Sequence, residues 1–381
     1  MRLTLPSLPE DWLLYAGISS LIFIGYLFPE LGTLKHFATI VIIAIASFKK
    51  EVSIQRVGFL VGVLGLMLYS LIIASVNPEL YSLKFFGLFT SPVIAAFVFG
   101  SKGEKKLTGF IKMFFLTAVT FQLAVIFSQE ENIRNLGILK LVLSDDSSNL
   151  LLSSSSDIEN SFGFVFGYLG LYFLMRKEYR YFLLCLFLFF INYKRIVVIG
   201  FGMSAIYYLF TRVRFIKGIP FKTALSISPF ILLLILIEIS SGNLNQLASE
   251  FTGKSMNHLT TGRYTIHHEL YHQFFEFPRL FFGYGIGHTN STVQTFEFTR
   301  MTMAHSDYLM FIYDFGILGF ITFFVLFFRN FLTSVNNAVY IIFFLVVLIF
   351  DNTIIYFDVM FLLYLLLINE TEESHLVLAR E

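Results

Sequence analysis

The stretch Val57-Gly-Phe-Leu-Val-Gly-Val-Leu-Gly-Leu-Met-Leu-Tyr-Ser-Leu-Ile-Ile-Ala-Ser-Val76 decides the fold class, because it contains no charged side chain. A helix rises about 1.5 Å per residue, so a helix of this length matches the hydrocarbon core of a bilayer. The whole chain of 381 residues is similar, with 56% apolar residues, 14% charged residues and a mean hydropathy of +0.74. Soluble chains carry about 25% charged residues. The composition therefore predicts an all-α polytopic membrane protein.

Apolar runs separated by short charged clusters predict about 12 transmembrane helices. The predicted spans are residues 12–29, 33–48, 57–76, 80–99, 107–127, 161–175, 181–193, 195–210, 222–239, 305–328, 335–350 and 354–368. Residues 1–239 thus hold nine helices with short loops and a Ser-rich loop at 128–160. One large polar loop follows at 240–304, and residues 305–381 hold the last three helices and the C-terminal tail.

The charges between the spans predict the orientation and exclude some functions. Lys and Arg concentrate in the loops on the side of both termini, so the positive-inside rule predicts cytoplasmic termini and outward-facing loops at 128–160 and 240–304. A net charge of +1 offers no general attraction for nucleic acid. The single cysteine, Cys185, excludes an internal disulfide and a cysteine metal cluster.

Lys194 and Arg195 stand between two predicted spans, on the side where positive charge is disfavoured. A cation at the membrane costs about 2.5–3.5 kcal/mol on insertion scales, so it usually has a partner or a task. Either both side chains snorkel to lipid headgroups, or they form an anion site at the outer membrane boundary. We favour the anion site, because a lipid diphosphate is the anion found there and a guanidinium group binds its oxygens in a bidentate manner.

Two motifs of the large loop can bring charge or backbone to an anion. Thr261-Gly262-Arg263 precedes a predicted helix and suits an N-terminal cap, whose free N–H groups favour phosphate. An ordinary cap with a surface arginine is the alternative. Gly283, Gly285 and Gly287 have the spacing of a nucleotide loop, but no strand precedes them. They predict a tight turn that brings the backbone close to a ligand or a neighbouring helix.

The segment from His305 to Gly319 enters a predicted span from outside, with His305 and Asp307 in its first turn. A straight helix would place Asp314 about 13 Å deeper than His305. A carboxylate at that depth needs an internal partner. The candidates for this partner are Lys194, Arg195 and Arg263. His305, with a pKa near neutral, can act as an acid or base or bind phosphate, and an incidental boundary histidine is the alternative.

His268-Glu-Leu-Tyr-His272 matches the HExxH pattern, in which two histidines on one helix face bind zinc and the glutamate acts as a base. A zinc protease also needs a third ligand, and neither Glu276 nor Glu297 is an obvious one. We therefore expect no metal and no cofactor, and we interpret these residues as the polar face of a helix at the membrane surface.

In their order along the chain, these motifs resemble the O-antigen polymerase and O-antigen ligase superfamily of membrane glycosyltransferases. The resemblance covers residues 194–319: a basic pair that opens a middle span, a Gly-Arg motif in a large outer loop, a helix that ends at a proline (Pro278), a glycine turn and a histidine motif. The histidine motif matches at His305, Ser306, Leu309, Asp314, Gly316 and Gly319. The departures are Ser306 and Asp314, where the family often has Asn and Glu, and His267, where an aromatic residue often follows the Gly-Arg motif.

The resemblance implies an enzyme similar to the type C glycosyltransferases, which transfers a glycan from undecaprenyl pyrophosphate at the outer face of the bacterial cytoplasmic (inner) membrane. Arg195, Arg263 and His305 are then the expected catalytic residues, with the arginines on the donor diphosphate and His305 at the leaving group or the acceptor hydroxyl. The expected substrate-binding residues are Lys194, Gly262, Gly283, Gly285, Asp307 and Asp314. The expected partners are the lipid-linked glycan donor and acceptor, membrane lipids, and a chain-length regulator and flippase of the same pathway.

Within this superfamily we favour a polymerase of O-antigen or capsule repeat units, because a biased composition suits a variable, strain-specific polysaccharide locus. The first alternative is an O-antigen ligase that transfers the finished chain to lipid A–core. A flippase or another transporter is less favoured, because transporters carry charges mid-membrane in several helices and rarely have one large outer domain. An HExxH membrane metalloprotease is the remaining alternative.

Overall fold

A computed structural model describes most of the chain. The described residues are 11–31, 33–49, 57–75, 80–100, 104–128, 161–192, 194–212, 219–260, 262–274, 279–296, 303–349 and 351–378. The Ser-rich loop from 129 to 160, Thr261, Glu276, Pro278 and Glu297 lie outside these residues, and predictions about them stay predictions.

Regular secondary structure in the described residues is helical, and a helix coincides with each predicted span. The first nine helices are α1 (Trp12–Phe23), α2 (Leu34–Lys49), α3 (Val57–Ser75), α4 (Leu80–Gly100), α5 (Glu104–Ser128), α6 (Phe162–Met175), α7 (Tyr179–Ile191), α8 (Arg195–Arg212) and α9 (Ile219–Ser241). The polar loop contains α10 (Asn245–Thr252), α11 (Met256–Leu259), α12 (Arg263–Phe274), α13 (Arg279–Phe282) and α14 (His288–Gln294). The last three are α15 (Asp307–Phe331), α16 (Val335–Val347) and α17 (Phe357–Leu378), with a 3-10 turn at Thr353–Ile355 between α16 and α17.

The helices fit a multi-pass membrane protein. Four stretches among the described residues are long and apolar enough to cross a membrane: Gly58–Ser75, Leu107–Ser128, Phe221–Ser241 and Asp307–Phe331. Shorter apolar helices accompany them. Large apolar side chains such as Leu13, Ile72 and Phe127 are about two thirds exposed, which suits contact with lipid and not with water. The polytopic helical class is thus supported, and the count of twelve spans stays a prediction.

The centre of the bundle is formed by helices that are apolar on all sides, as expected for buried helices. α17 is buried around its circumference from Phe357 to Ile368, and α6 is buried from Phe162 to Phe173. Two glycines let α6 and α8 approach α16 closely, since a Cβ at Gly167 or Gly200 would meet the ring of Phe343 within 3 Å. These central helices carry the polar residues of the candidate site at their ends.

The helix α15 is not straight. Gly316 has φ 70° and ψ 176°, outside the helical region. The rings of Phe311 and Phe323 nevertheless lie 4.7 Å apart. Residues twelve apart in a straight helix are about 18 Å apart along its axis, so the chain folds back at Gly316. The stacked rings of Tyr308 and Phe324, 5.9 Å apart, require the same reversal.

The reversal divides α15 into a short first arm, residues 307–315, and a longer second arm, residues 317–331. The prediction of one straight span from residue 305 to residue 328 is therefore wrong. The reversal lies beyond Asp314, so it does not change the helical rise between His305 and Asp314. The first arm packs along the second, and its C-terminal end, with Asp314, meets the glycine turn of the polar loop.

Candidate functional site

Four segments meet at one end of the bundle. They are the start of α8, the start of α12, the turn before α15 and the turn between α16 and α17. Backbone hydrogen bonds fix the last two together, because the Asp307 N–H donates to the carbonyl oxygens of Leu348 (2.9 Å) and Asp351 (3.2 Å). Asp307 itself is fully buried, and its Oδ2 accepts a hydrogen bond from Ile354 N–H at 3.1 Å. The structure thus places this predicted substrate-binding residue on the α16–α17 turn.

The centre of the site is Asp351, a residue that the sequence analysis did not single out. Its Oδ2 lies 3.2 Å from Lys194 Nζ. Its Oδ1 accepts hydrogen bonds from Asn352 N–H at 2.8 Å and from the Tyr356 hydroxyl at 3.3 Å. Burial alone would raise the pKa of this carboxyl, but the charges of Lys194 and Arg263 outweigh burial and hold the pKa below its usual range. Asp351 is therefore an ionised carboxylate.

Lys194 is held in place on two sides. Its ammonium pairs with Asp351 and also lies over the rings of Phe164 and Tyr356, 4.8 and 5.8 Å from their centroids. Only 13% of its side chain is exposed. A snorkelling lysine would extend to the lipid headgroups instead. The geometry therefore argues against snorkelling of this residue, and its part in an anion site stays a prediction.

Arg263 opens α12 directly after Gly262, which has a left-handed φ of 84°. The hydroxyl of Thr260 accepts the Tyr264 N–H at 2.9 Å and so supplies a side-chain cap to this helix start. The Arg263 guanidinium interacts electrostatically with His305 and Asp351. It also faces His267, one helical turn further along α12. The Gly-Arg motif therefore brings its arginine to the same place as Lys194.

His305 lies between these charged groups in an unusual backbone conformation. Its φ is 51°, a left-handed value that costs a non-glycine residue about 1–3 kcal/mol. On its N-terminal side, the Ala304 carbonyl accepts a hydrogen bond from His267 Nε2 at 2.9 Å, and the Ala304 N–H donates to Asn290 Oδ1 at 3.2 Å. On its C-terminal side, the Ser306 hydroxyl caps α15. The neighbours thus impose the strained geometry of His305.

Burial, and then the positive charge of Arg263, lower the pKa of His305 to about 4. Burial also lowers the pKa of His267 to about 4. Both imidazoles are therefore neutral at physiological pH. The pKa of His305 is thus lower than the near-neutral value expected from the sequence. His305 Nδ1 is buried and has no hydrogen-bond partner among the described residues. A neutral imidazole with an unused ring nitrogen can accept a proton or a hydrogen bond from a substrate.

Asp314 has different partners from those predicted. Its Oδ2 accepts the Gly287 N–H at 2.8 Å, and its Oδ1 accepts the Thr289 N–H at 2.9 Å. The Thr289 hydroxyl also donates to Oδ1 at 2.5 Å. The residue is fully buried. Its carboxylate thus receives the N–H groups at the start of α14, whereas the carboxylate paired with Lys194 belongs to Asp351.

The glycine turn packs directly against the reversal of α15. Tyr284 N–H donates to Tyr313 O at 2.8 Å, and Gly285 N–H donates to Asp314 O at 3.0 Å. Gly283 and Gly285 have φ values of 81° and 101°. A Cβ at Gly283 would overlap the Asp314 carbonyl, and one at Gly285 would lie 2.5 Å from Ala74 N. Of the two predicted roles for this turn, close approach to a neighbouring helix is the one that the structure displays.

The structure therefore brings together Lys194, Arg263 and His305 around Asp351, and we call these four residues the first cluster. Arg195 is half-buried at the first position of α8, next to Lys194. Gly262 sets the direction of Arg263. Asp307 and Asp314 lie on the first arm of α15, and Gly283 and Gly285 lie on the glycine turn that packs against it. Their roles in substrate binding stay predictions.

The HExxH residues lie apart from the first cluster. His268 Nδ1 donates to Ser240 O at 2.7 Å, and the rings of His268 and His272 are 4.5 Å apart. Glu269 accepts a hydrogen bond from Gln273. Within the described residues, no group of three or more His, Cys, Asp or Glu side chains is placed to hold a metal ion. A structural or catalytic zinc site needs at least three protein ligands, so this region offers no support for the metalloprotease alternative.

The fold and the first cluster define a class: a helical, multi-pass membrane protein with a cationic site where several helices end. Residues 181–324 match the model of the family described as O-antigen ligase. The match confirms the predicted resemblance to the superfamily of O-antigen ligases and polymerases, whose members are glycosyltransferase-like membrane enzymes of lipopolysaccharide biosynthesis. No curated protein and no solved structure matches the chain significantly.

The matched segment includes Lys194, Arg263 and His305 but not Asp351. A pattern in the sequence nevertheless marks Asp351, since Asp351-Asn352 stands in the short turn between two apolar helices. An acidic residue at such a boundary needs a cation, and the cations of the predicted site were Lys194, Arg195 and Arg263. Matching charges across all outer turns would have identified the residue.

Proposed function

We propose that this protein polymerises undecaprenyl-pyrophosphate-linked oligosaccharide repeat units into a surface polysaccharide, O-antigen or capsule, at the outer face of the bacterial cytoplasmic membrane. The observation that supports this proposal is the first cluster, in which two cations and a neutral histidine surround one buried carboxylate. Three of its four residues lie in the segment that matches the O-antigen ligase family. A flippase and a chain-length regulator of the same pathway are the proposed partners.

The charge balance of the first cluster suits a diphosphate. Lys194 and Arg263 carry two positive charges, and Asp351 carries one negative charge. A bound lipid diphosphate supplies the missing negative charge, and its oxygens match the planar guanidinium of Arg263. Asp351 fixes the Lys194 ammonium in position before the substrate arrives, so less reorganisation is needed during the reaction.

The proposed reaction is a displacement at the anomeric carbon of the donor sugar. An acceptor hydroxyl oxygen attacks this carbon and forms the new glycosidic bond. The bond between the anomeric carbon and the diphosphate oxygen breaks, and the diphosphate leaves with the electron pair. Arg263 and Lys194, with Arg195 beside them, stabilise the negative charge that develops on the leaving group.

His305 is the proposed acceptor for the proton of the attacking hydroxyl. The Nδ1 atom of its neutral imidazole has no hydrogen-bond partner among the described residues, so it can accept this proton. A diphosphate bound nearby would raise the pKa of His305 above about 4, because negative charge favours the imidazolium. Donor binding would therefore make the imidazole a stronger base at the moment when it is needed.

In vitro polymerisation tests this proposal. Purified protein in lipid nanodiscs is incubated with defined undecaprenyl-pyrophosphate-linked repeat units, and the products are separated by length. We expect a ladder of polymers and release of undecaprenyl pyrophosphate. A flippase would move the lipid-linked repeat unit without changing it, so unchanged substrate with intact protein would contradict the proposal.

An O-antigen ligase is the second candidate, and the description of the matching family favours it. A strain that lacks the gene distinguishes the two activities. Lipid A–core that carries single repeat units indicates loss of a polymerase, because ligation continues without chain growth. Lipid A–core without any O-antigen indicates loss of a ligase.

A further inference from the structure

The polar loop begins with α10 (Asn245–Thr252), a helix that leaves large apolar side chains uncovered. Leu247 is 51% exposed, and Phe251, at 82%, is the most exposed large apolar side chain among the described residues. These two residues are one helical turn apart, so their side chains lie next to each other. Neighbouring apolar side chains that a folded protein leaves exposed mark a surface that contacts another molecule or a membrane.

The helix α10 has an apolar face and a polar face. Its apolar side chains follow the spacing i, i+3, i+4 and i+7, which places them on one side of the helix: Leu244, Leu247, Ala248 and Phe251. On the other side, Gln246 Nε2 donates a hydrogen bond to Glu250 Oε1 at 2.8 Å, and Ser249 is exposed. The apolar face carries no charge, so it suits a hydrocarbon surface.

The position of α10 follows from the end of α9. The stretch Phe221–Ser241 is long and apolar enough to cross the membrane. Gly242, with a left-handed φ of 93°, turns the chain directly behind this stretch, and its carbonyl oxygen accepts the Asn245 N–H at 3.1 Å. The headgroup layer on each side of the hydrocarbon core is about 5–8 Å thick. A tight turn at the end of a membrane span therefore leaves α10 at the level of the headgroups.

A second part of the polar loop gives an independent measure of depth. The Tyr69 hydroxyl donates to the carbonyl oxygen of Phe282 in α13 at 2.8 Å. Tyr69 stands six residues before the end of the membrane-spanning stretch Gly58–Ser75. A helix rises about 1.5 Å per residue, so α13 lies about 9 Å along the axis from that end. Phe281 and Phe282 are 40% and 50% exposed at this depth, where lipid is the solvent. The loop therefore lies against the membrane.

Hydrogen bonds connect α10 to the first cluster. Asn245, the first residue of α10, donates from Nδ2 to the hydroxyl of Tyr264 at 2.6 Å. Tyr264 follows Arg263 in the first turn of α12. Further along α12, His268 Nδ1 donates to the carbonyl oxygen of Ser240, near the end of α9, at 2.7 Å. The first half of α12 is therefore attached both to α10 and to the end of a membrane span.

We propose that the apolar face of α10 binds the outer leaflet of the membrane and thereby holds the start of α12, with Arg263, at the lipid surface. Acyl chains contact Leu247 and Phe251, while Ser249 and Glu250 stay in water. Helices with one apolar and one polar face bind membranes in this way, about 5–10 Å into the boundary between headgroups and acyl chains. The inference goes beyond the proposed reaction, because it does not depend on which substrate Arg263 binds.

Fluorescence quenching tests the contact between α10 and lipid. Trp12 is the only tryptophan of the chain, so Trp12→Phe gives a background without tryptophan emission. In this background Phe251→Trp is compared with Ser249→Trp, which lies about 200° around the helix from it. The full-length variants are placed in nanodiscs that hold one copy, with lipids brominated near the top of their acyl chains. Phe251→Trp should lose about half of its emission, and Ser249→Trp less than about a tenth.

Two results of this comparison would overturn the inference. Without any loss of emission in Phe251→Trp, the apolar face would be in water, ready for a second copy of the chain or for another protein. With equal losses in both variants, the helix would have no side that faces the membrane. An unfolding temperature close to that of the Trp12→Phe parent shows that each variant is folded.

Hydrogen exchange tests whether this contact holds α12. The variant Leu247→Ser/Phe251→Ser loses the apolar face, so the amide hydrogens of residues 263–267 should exchange about tenfold faster in nanodiscs. The swapped variant Leu247→Phe/Phe251→Leu keeps the face apolar and should exchange like the wild type. Unchanged exchange in the serine variant would reject the holding role of α10. Neither measurement needs turnover, so a failure of the polymerisation assay would reject the proposed function and leave this inference.

Discussion

Asp351 and Asp314 are both buried aspartates near the same end of the bundle, but their surroundings differ. Asp351 faces an ammonium group at 3.2 Å, with Arg263 and His305 nearby. Asp314 receives hydrogen bonds from two backbone N–H groups and a hydroxyl of the turn that follows the glycines. Asp314 belongs to the motif that resembles the family, and Asp351 does not. A position in a motif therefore does not tell whether a carboxylate contacts charged side chains or backbone N–H groups.

The difference also separates two kinds of mutational effect. Loss of charge at Asp351 alters the electrostatics of the first cluster, so it should affect turnover. Loss of charge at Asp314 leaves buried N–H groups without a good acceptor, which lowers stability. The following predictions test whether the two regions can be separated in this way.

The largest effect is expected for Arg263→Ala. This substitution removes a cation from the first cluster, and loss of one group that stabilises the transition state typically costs 10²- to 10³-fold in kcat. We expect a loss of about 10³-fold in polymerisation by purified protein, with normal yield and unfolding temperature. Arg263→Lys should recover part of the activity, because it restores the charge but not the bidentate geometry. Full polymer length with Arg263→Ala would remove the first cluster from the mechanism.

Asp351→Asn should lower kcat/KM by about 100-fold, because the Lys194 ammonium loses the partner that positions it. An unpaired buried ammonium also destabilises the protein. The double variant Asp351→Asn/Lys194→Met removes that penalty and should restore the unfolding temperature without restoring activity. If the double variant recovers both, Asp351 has only a structural role and the contrast with Asp314 disappears.

Asp314→Asn should act mainly on stability, because an amide NH₂ or a neutral carbonyl replaces a carboxylate that accepts three hydrogen bonds. We expect a loss of about 2 kcal/mol in the free energy of unfolding. The kcat of the remaining folded protein should stay within about threefold of the wild type, as measured by activity normalised to folded protein. Thr289→Val, which removes one of the three donors, should cost about half as much. A large fall in kcat with unchanged stability would place Asp314 in the chemistry.

The smallest effect is a pH shift that involves His305. The kcat/KM profile reports the free enzyme, in which the pKa of His305 is about 4, and the kcat profile reports the complex with substrate. Since the imidazole must be neutral to accept a proton, activity falls as the pH drops through this pKa. Bound diphosphate raises the pKa, so the acid limb of kcat should lie about one unit above that of kcat/KM. Coincident limbs would mean that His305 and the diphosphate do not interact.

The helices could be predicted from the sequence because the solvent imposes a simple rule. In lipid, each spanning segment must satisfy its own backbone, so apolar runs of sufficient length become helices. Each predicted span therefore coincides with a helix. Lys194, Arg263 and His305 could also be selected as candidate site residues from the sequence. A charged or titratable side chain at the membrane boundary usually has a partner or a function.

The partners of those charges could not be predicted, since they depend on tertiary structure. The sequence assigned Asp314 to a cation because a carboxylate inside a membrane span needs a partner. In the structure, backbone N–H groups of Gly287 and Thr289 donate hydrogen bonds to this carboxylate. A glycine in an apolar run is compatible with a continuous helix, so the local sequence did not predict the reversal of the chain at Gly316. Asp351 escaped attention because it approaches Lys194 from 157 residues away in the chain.

The reversal at Gly316 has a consequence for biogenesis. The insertion machinery selects segments by their overall hydrophobicity, and residues 307–331 are long and apolar enough to be selected as one stretch. The folded-back arm exposes the carbonyls of Tyr313 and Asp314, which accept hydrogen bonds from residues 284 and 285. The donors of these hydrogen bonds belong to the polar loop, which is synthesised before α15. The loop must therefore be in place before the first arm of α15 can pack, and a misplaced loop would yield an inserted but incompletely folded chain.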